Sequence, residues 1–153
     1  MDYREVKRLA QQGEGTHIEF KQKVYYPHKI LREIVAFANT EGGYLLIGVT
    51  DDGQLKGVKN PDGEIFELER FMKKYCVPYP DYDTYRIELR DERVVVVFDI
   101  KEHAPKPMYL MPKGEPTNKD GRIAYVRLED KSVQASREMK RIMRDSSNNR
   151  KVT

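Results

Sequence analysis

The stretch GEGTHIEFKQKVYY, Gly13 to Tyr26, sets two carboxylates, Glu14 and Glu19, beside His17 and the ammonium groups of Lys21 and Lys23. Within it THIEFK alternates. Ile18 and Phe20 point to one side and His17, Glu19 and Lys21 to the other, the pattern of a half-buried strand with a titratable face. Glu14 and Glu19 are five residues apart, an odd separation that places them on opposite faces of one regular strand. They converge only where Glu14 lies in a turn ahead of the strand, which Gly13 and Gly15 make easy. Two like charges about 4 Å apart repel by roughly 4 kcal/mol at an effective dielectric of 20, so acids that converge need a cation or raised pKa values. Lys21 or Lys23 could then hold a phosphate nearby. The plain alternative is a wet strand face on which Glu19 pairs with Lys21 or His17, and Glu14 merely ends a helix loop.

The elements that must position these groups follow from spacing. Asp2 is a candidate N-cap for a helix to about Gln12, with Val6, Leu9 and Ala10 as its apolar stripe and Gly13 as its stop. After the THIEFK strand, Pro27 opens a second helix, in which Ile30, Leu31, Ile34, Val35 and Ala38 recur at helical spacing. YLLIGV is apolar on both parities, as a central strand buried on both faces is, and it runs into the turn TDDG. QLKGVKN is a weaker strand or a loop. A third helix shows Ile65, Leu68, Met72 and Tyr75 on one face, and VPYPDYD is a loop. TYRIELRDERVVVVFDI reads as a β-hairpin turning at Asp91-Glu92. The connection 102–121 is long and rich in Pro and Gly, with a short strand at Met108–Met111; such a length marks a functional loop or a partner-binding arm. RIAYVRL is one more strand, and Ser136 caps a last helix with Met139, Ile142 and Met143 as its apolar positions. The order predicts an α+β domain, a mixed sheet packed with three to four helices, rather than a doubly wound sheet.

The helix end and strand AFANTEGGYLLIGV require a tight reversal, for which Gly42 and Gly43 supply positive φ. A nucleotide phosphate at these glycines is the alternative, but a phosphate loop precedes a helix and uses its N-terminal amides. Here the glycines follow the helix, at the negative end of its dipole. Asn39 is read as satisfying backbone groups at the helix end. His17 could orient Glu19 or stand exposed, whereas His28 and His103 have no evident partner. The ten tyrosines include Tyr25-Tyr26 and the series Tyr75, Tyr79, Tyr82 and Tyr85. Rings beside Lys and Arg can stack on unpaired bases, or serve as ordinary core and loop anchors.

GEGTHIEFK followed by IVAFANTEGGYLLIGVTDDGQLKGV resembles the core of the Schlafen family and its prokaryotic relatives, the Alba-like DNA-binding domain. The resemblance is dense from Glu14 to Val58 and returns in AYVRLEDKSVQASREMKRI; residues 59–121 match in rhythm only. It implies nucleic-acid binding and, from the Schlafen-type ribonucleases, a possible endoribonuclease acting on tRNA-like RNA. Three acids would serve it, carried over by position to Glu14, Glu19 and Asp51. The family's turn often carries an acid at the position before as well; here that position is Thr50 and the next acid is Asp52, so the third group is Asp51 or Asp52. Asp51 follows the carboxyl end of a buried strand. Three oxygen ligands of this kind suit Mg²⁺ or Mn²⁺, which would polarise a phosphodiester and help generate a nucleophilic water. Members of the family resemble two halves around a groove for structured RNA, so a homodimer would complete a chain that holds one half. Arg127, on the penultimate element, is either a phosphate ligand or the salt-bridge partner of a neighbouring acid.

Composition narrows the classes. With 153 residues, 39% hydrophobic and 35% charged, the chain suits one domain with one proper core. No run approaches a membrane span and the N-terminus has no apolar signal region, so a cytoplasmic place is expected. Cys76 is alone, which excludes an internal disulfide and a Cys-based zinc site, and it is expected to pack as a small hydrophobe near a helix end. The net charge of +3 divides unevenly, residues 137–153 carrying +4 and the rest −1. Arg137, Lys140, Arg141 and Arg144 therefore join Lys21, Lys23 and Arg127 as candidate nucleic-acid contacts. The expected organisation is a nucleic-acid-binding domain over 1–145 and a basic, disordered tail over 146–153. Three functions stay open: a metal-dependent endoribonuclease, a non-catalytic DNA- or RNA-binding regulatory module, and a nucleotide-binding domain.

Overall fold

The computed structural model describes residues 1–111 and 121–152, with side chains as far as residue 146 in the last helix. Asp2 caps α1 (Tyr3–Gln12) by accepting the Glu5 N–H at 3.0 Å, and Gly13 ends it at φ +85°. The chain then forms β1 (Ile18–Lys21), α2 (Pro27–Asn39), β2 (Gly43–Ile47) and α3 (Pro61–Tyr75). β3 (Cys76–Val77), β4 (Tyr82–Glu88), β5 (Val94–Ile100) and β6 (Tyr109–Leu110) follow, then β7 (Tyr125–Leu128), β8 (Lys131–Gln134) and α4 (Arg137–Val152). The class is α+β, as the order of elements predicts.

The main sheet has the order β1-β2-β5-β4. β1 runs parallel to β2, with Ile18 opposite Tyr44 and Lys21 opposite Ile47, and the other pairs are antiparallel. Alternation assigns each strand two jobs. Phe20, Leu46, Val95 and Val97 pack on one side with Val6 and Ala10 of α1. Leu45, Ile47, Val96 and Phe98 pack on the other with Ile30, Ile34 and Val35 of α2 and Leu68 and Met72 of α3. β2 is buried on both faces, which is why YLLIG lacks a polar parity.

The helix-to-strand reversal is a packing device. Gly42 has φ +80°, and a Cβ there would lie 2.6 Å from the Ile100 carbonyl oxygen; one at Gly43 would lie 2.5 Å from the Phe37 ring. Only Gly42 takes the positive φ expected of both, and the space a phosphate would need is filled by backbone and ring. Cys76 is buried at the C-cap of α3, its thiol pushed up to about 12 by burial. The QLKGVKN segment is a loop tied by isolated bridges, Val49 to Leu55 and Val58 to Val94. β6 falls within the short strand expected at Met108–Met111, while 112–120 of that connection lie outside the described residues. β8 was not legible as a strand: it pairs with β7 as a separate hairpin turning at Glu129, φ +57°. Ser136 accepts the Met139 N–H at 3.1 Å, and α4 carries helical backbone to Val152, through most of the segment read as a tail. Among the described residues, no helix is long and apolar enough to cross a membrane.

Asn39 joins the two halves of the helical side. Its amide donates to the carbonyls of Met108 and Tyr125, both at 2.9 Å, and its oxygen accepts the Met108 N–H at 2.6 Å. It serves backbone groups, as expected, though of distant segments rather than of its own helix end. Asn39→Ala leaves three buried backbone groups without partners, and a loss on the order of 2–4 kcal/mol in urea unfolding is expected. A loss within about 0.5 kcal/mol, typical of an open surface site, would show that these bonds are replaced by water.

Candidate functional site

β1 presents Glu19 and Lys21 on the face turned to α2, opposite Ile18 and Phe20. That face is not wet. Glu19 is only 6% exposed and Arg127, delivered by β7, only 3%. The Arg127 guanidinium lies 2.7 Å from Glu19 Oε2 and also donates to the carbonyls of Gly15 at 3.1 Å and Ile18 at 3.4 Å and to Ser132 Oγ at 3.0 Å. Its plane lies over the Phe37 ring, 4.9 Å from the centroid, a cation–π contact in a dry setting. Of the two readings of Arg127, the salt bridge is therefore what the structure contains, and its donors are spent inside the protein.

Lys21 closes the other side of Glu19, its Nζ 3.4 Å from Oε1, and reaches Glu33 Oε1 of α2 at 3.0 Å. Burial works to lower the Lys21 pKa, but Glu33 and Glu19 outweigh it and hold the ammonium above its ordinary value. Glu33 is pushed up to about 8, first by burial and then by Glu19 beside it, with Lys21 opposing. Its Oε2 is buried and finds no hydrogen-bond partner among the described residues. Glu33 escaped the sequence reading, although a signal was present: it sits three residues after Ile30 and four before Phe37, an acid on the flank of an otherwise buried helical face.

Glu14 occupies the turn ahead of β1 that convergence requires, where its Oε1 accepts the Phe20 N–H at 3.0 Å. Burial raises its pKa, that hydrogen bond lowers it, and the charges of Glu19 and Asp51 push it further up. Glu14 thus lies within electrostatic reach of both Glu19 and Asp51. Asp52 is used differently, accepting the Thr50 hydroxyl, which itself accepts the Gln54 N–H at 2.9 Å to close the turn. Among the described residues no three His, Cys, Asp or Glu side chains are grouped to hold a metal ion. Glu14, Glu19 and Asp51 do not form such a group, and the oxygens of Glu19 face Arg127 and Lys21. His17 turns from Glu19 to Glu41, 3.5 Å away, and to the Gly42 carbonyl.

The remaining candidates stand apart from this cluster. Lys23 is exposed, with its Nζ over the Tyr25 ring at 5.6 Å. On α4, Arg141 pairs with Glu138, while Arg137, Lys140 and Arg144 make no ion pair among the described residues.

A model of the family described as Schlafen, AlbA_2 matches residues 14–136. Among solved structures, the chain is similar to the N-terminal domain of a RecG-related protein from Nitrosomonas europaea, with a TM-score of 0.59 at 21% identity over 86% of this chain and 93% of that one. At such identity the likeness concerns the fold. The family match spans both the Glu14–Asp51 segment and Arg127, the two partners of the buried cluster.

Removing one member of a buried ion pair leaves the other uncompensated. Arg127→Leu is expected to cost about 3–5 kcal/mol in denaturant unfolding, and Arg127→Lys to recover little, since one ammonium cannot reach four separated acceptors. Equal stability of Arg127→Leu and the native protein would remove the pair from its structural role. For Glu33 the folded pKa lies above the unfolded one, so the folded state binds the extra proton. This contribution to stability is full below about 4.5 and is lost as pH rises towards 8. Thermal melts should show native protein losing stability relative to Glu33→Gln across that window, at about 2–4 °C per kcal/mol. Parallel curves would show that Glu33 is not perturbed.

Proposed function

The chain belongs to the Schlafen, AlbA_2 family, and from that membership we propose that it is a non-catalytic nucleic-acid-binding module that takes RNA or DNA by its phosphates. The observation that carries this reading is the free charge of α4. Arg137, Lys140 and Arg144 stand on one helix with no ion pair to an acid among the described residues, while Arg141 takes up Glu138. Cations so placed release condensed counterions from a polyanion, which gives affinity without base readout and a steep dependence on salt. Two copies side by side would supply the two halves of a groove, and the module would act in the cytoplasm.

A second reading, an endoribonuclease cutting tRNA-like RNA through Glu14, Glu19 and Asp51, is favoured by the electrostatic reach of Glu14 to both of the other acids. It stands second because Glu19 is already neutralised by Arg127 and Lys21. Nucleotide binding at Gly42-Gly43 has no support in the packing of those glycines.

Labelled tRNA in Mn²⁺ separates the readings. Native protein is expected to shift the RNA and leave it intact, and Arg137→Glu/Lys140→Glu/Arg144→Glu to weaken binding on the order of 10–100-fold and flatten the salt dependence by about two to three ions. Cleavage that disappears in Asp51→Asn, an exposed position that can change without unfolding the cluster, would overturn the module in favour of the nuclease. A sedimentation profile of monomer alone at micromolar concentration would remove the paired groove.

A further inference from the structure

A cavity of about 700 Å³ opens beside the acid cluster but is lined by other residues, and its size is that of ordinary small-ligand clefts, about 300–1,000 Å³. Four basic side chains line it, Lys23, Lys56, Lys59 and Arg93, against two acids, Glu64 and Asp91. Both acids are engaged. Glu64 is buried and its Oε2 accepts the Val24 N–H at 2.9 Å, and Asp91 lies 3.7 Å from Arg93 Nε while accepting that residue's N–H. Lys56 and Lys59 make no ion pair among the described residues. Asp91 and Arg93 offset each other, which leaves Lys23, Lys56 and Lys59 as cations of the cavity without an ion pair among the described residues. Like-charged ammonium groups brought together favour an anion between them.

The backbone holds this arrangement firmly. Gly48 and Gly57 approach so closely that a Cβ at Gly48 would lie 2.7 Å from the Gly57 Cα. The Gly48 carbonyl accepts the N–H groups of both Lys56, at 2.9 Å, and Gly57, at 2.7 Å. Val58 then pairs with Val94 in both directions, which places Arg93 against the Lys56–Asn60 segment. Asn60 caps α3 by accepting the Gly63 N–H at 3.0 Å, so the positive end of a 15-residue helix also borders the cavity. At its rim stands Tyr25, 61% exposed, with Lys23 held over its ring.

We propose that this cavity binds a nucleoside phosphate unit, its phosphate between Lys56, Lys59 and Lys23, beside the Asp91-paired Arg93, and its base on Tyr25. Phosphate needs several donors, and a base needs a flat ring free on one side; the cavity offers lysines on a held backbone and such a ring. The unit is either a free nucleotide or one residue of a single strand. α4 has no part in the site, so the inference goes beyond the module proposed above and fails or stands separately from it.

The test titrates three probes, inorganic phosphate, a nucleoside 5′-monophosphate and a short single-stranded oligonucleotide. It follows affinity by calorimetry and location by amide NMR shifts. In the native protein the mononucleotide should shift amides of Lys56 to Asn60. Lys56→Glu/Lys59→Glu, two exposed positions whose melting temperature reports intact folding, should lose on the order of tenfold or more in affinity. Tyr25→Ala should weaken mononucleotide binding several-fold through lost stacking, by about 1 kcal/mol or more, and leave inorganic phosphate unchanged. The α4 triple variant should bind the mononucleotide normally. Oligonucleotide binding that falls in Lys56→Glu/Lys59→Glu while the mononucleotide fails to bind assigns the unit to a strand. The proposal is overturned if the double variant changes neither affinity, and in that case a loss confined to the α4 variant leaves the module standing without it.

Discussion

A guanidinium buried at Arg127 is the constraint from which the rest of the structure can be reasoned. A charge that deep is tolerable only when paired and hydrogen-bonded, and Arg127 meets the condition with one carboxylate, two carbonyls, one hydroxyl and one aromatic face. Those five partners come from four pieces of the fold: the turn at Gly15, β1 with Ile18 and Glu19, β8 and α2. The β7–β8 hairpin is a two-stranded sheet by itself, a size that is marginal in water. Its attachment to the main sheet runs through this side chain, through Asn39, which holds the Tyr125 carbonyl, and through the Thr40 hydroxyl, which accepts the Arg127 N–H at 3.1 Å. The α2 helix is thus gripped on its buried face by apolar packing and at its end by polar bonds.

The same pair dictates what the acids can do. Glu19 and Glu33 sit close together on facing elements, and a low-dielectric setting makes two neighbouring carboxylates expensive. Two cations, Lys21 and Arg127, offset part of that cost, and the retained proton implied by the Glu33 shift offsets more. Glu14 lies at the edge of this arrangement and feels it through Glu19. An open cluster of three acids would attract a divalent cation and repel a polyanion. A cluster already neutralised from within does neither strongly, and the electrostatic face towards nucleic acid is then set by the lysines and arginines that have no internal partner.

How much of this was legible depended on whether the signal was periodic. α1, α2 and α3 were readable from apolar spacing and from Asp2, Pro27 and Gly13, because helix caps and stripes are local. β2 and the β4–β5 hairpin were readable because YLLIG and VVVVF are short apolar runs bounded by turn residues. β8 was not, since Lys131-Ser132-Val133-Gln134 contains a single apolar residue and owes its strand to pairing with β7. The burial of Glu19 was also hidden. Alternation in THIEFK correctly assigns Glu19 and Lys21 to one face, but a pattern of two cannot say whether that face meets water or a hairpin more than a hundred residues later. Parity and the flanking glycines put Glu14 in its turn, and the resemblance singled out Asp51 after the strand; neither could foretell that Arg127 would occupy the centre of the site.

The distribution of charge that results has a consequence for how such a domain meets a polyanion. Acids are drawn inward in the Glu14–Lys21 region and on α2, where cations already cover them. Among the described residues, the cations without an ion pair include two groups, on α4 and along the Lys56–Lys59 loop that the Gly48–Gly57 contact and the Val58–Val94 bridge hold in place. The two differ in kind. Cations on one exposed helix attract a phosphate backbone wherever it lies, with an affinity that salt erodes. Cations around a cavity, beside a capped helix start and an exposed ring, would fix where one phosphate and one base sit, because the backbone beneath them is held by hydrogen bonds and by glycine contacts that tolerate no side chain. A surface that only attracts needs the first arrangement alone. The presence of the second, built on two positive-φ glycines and a cap, is the physical ground for expecting this fold to recognise a nucleotide rather than merely adhere to a charged strand.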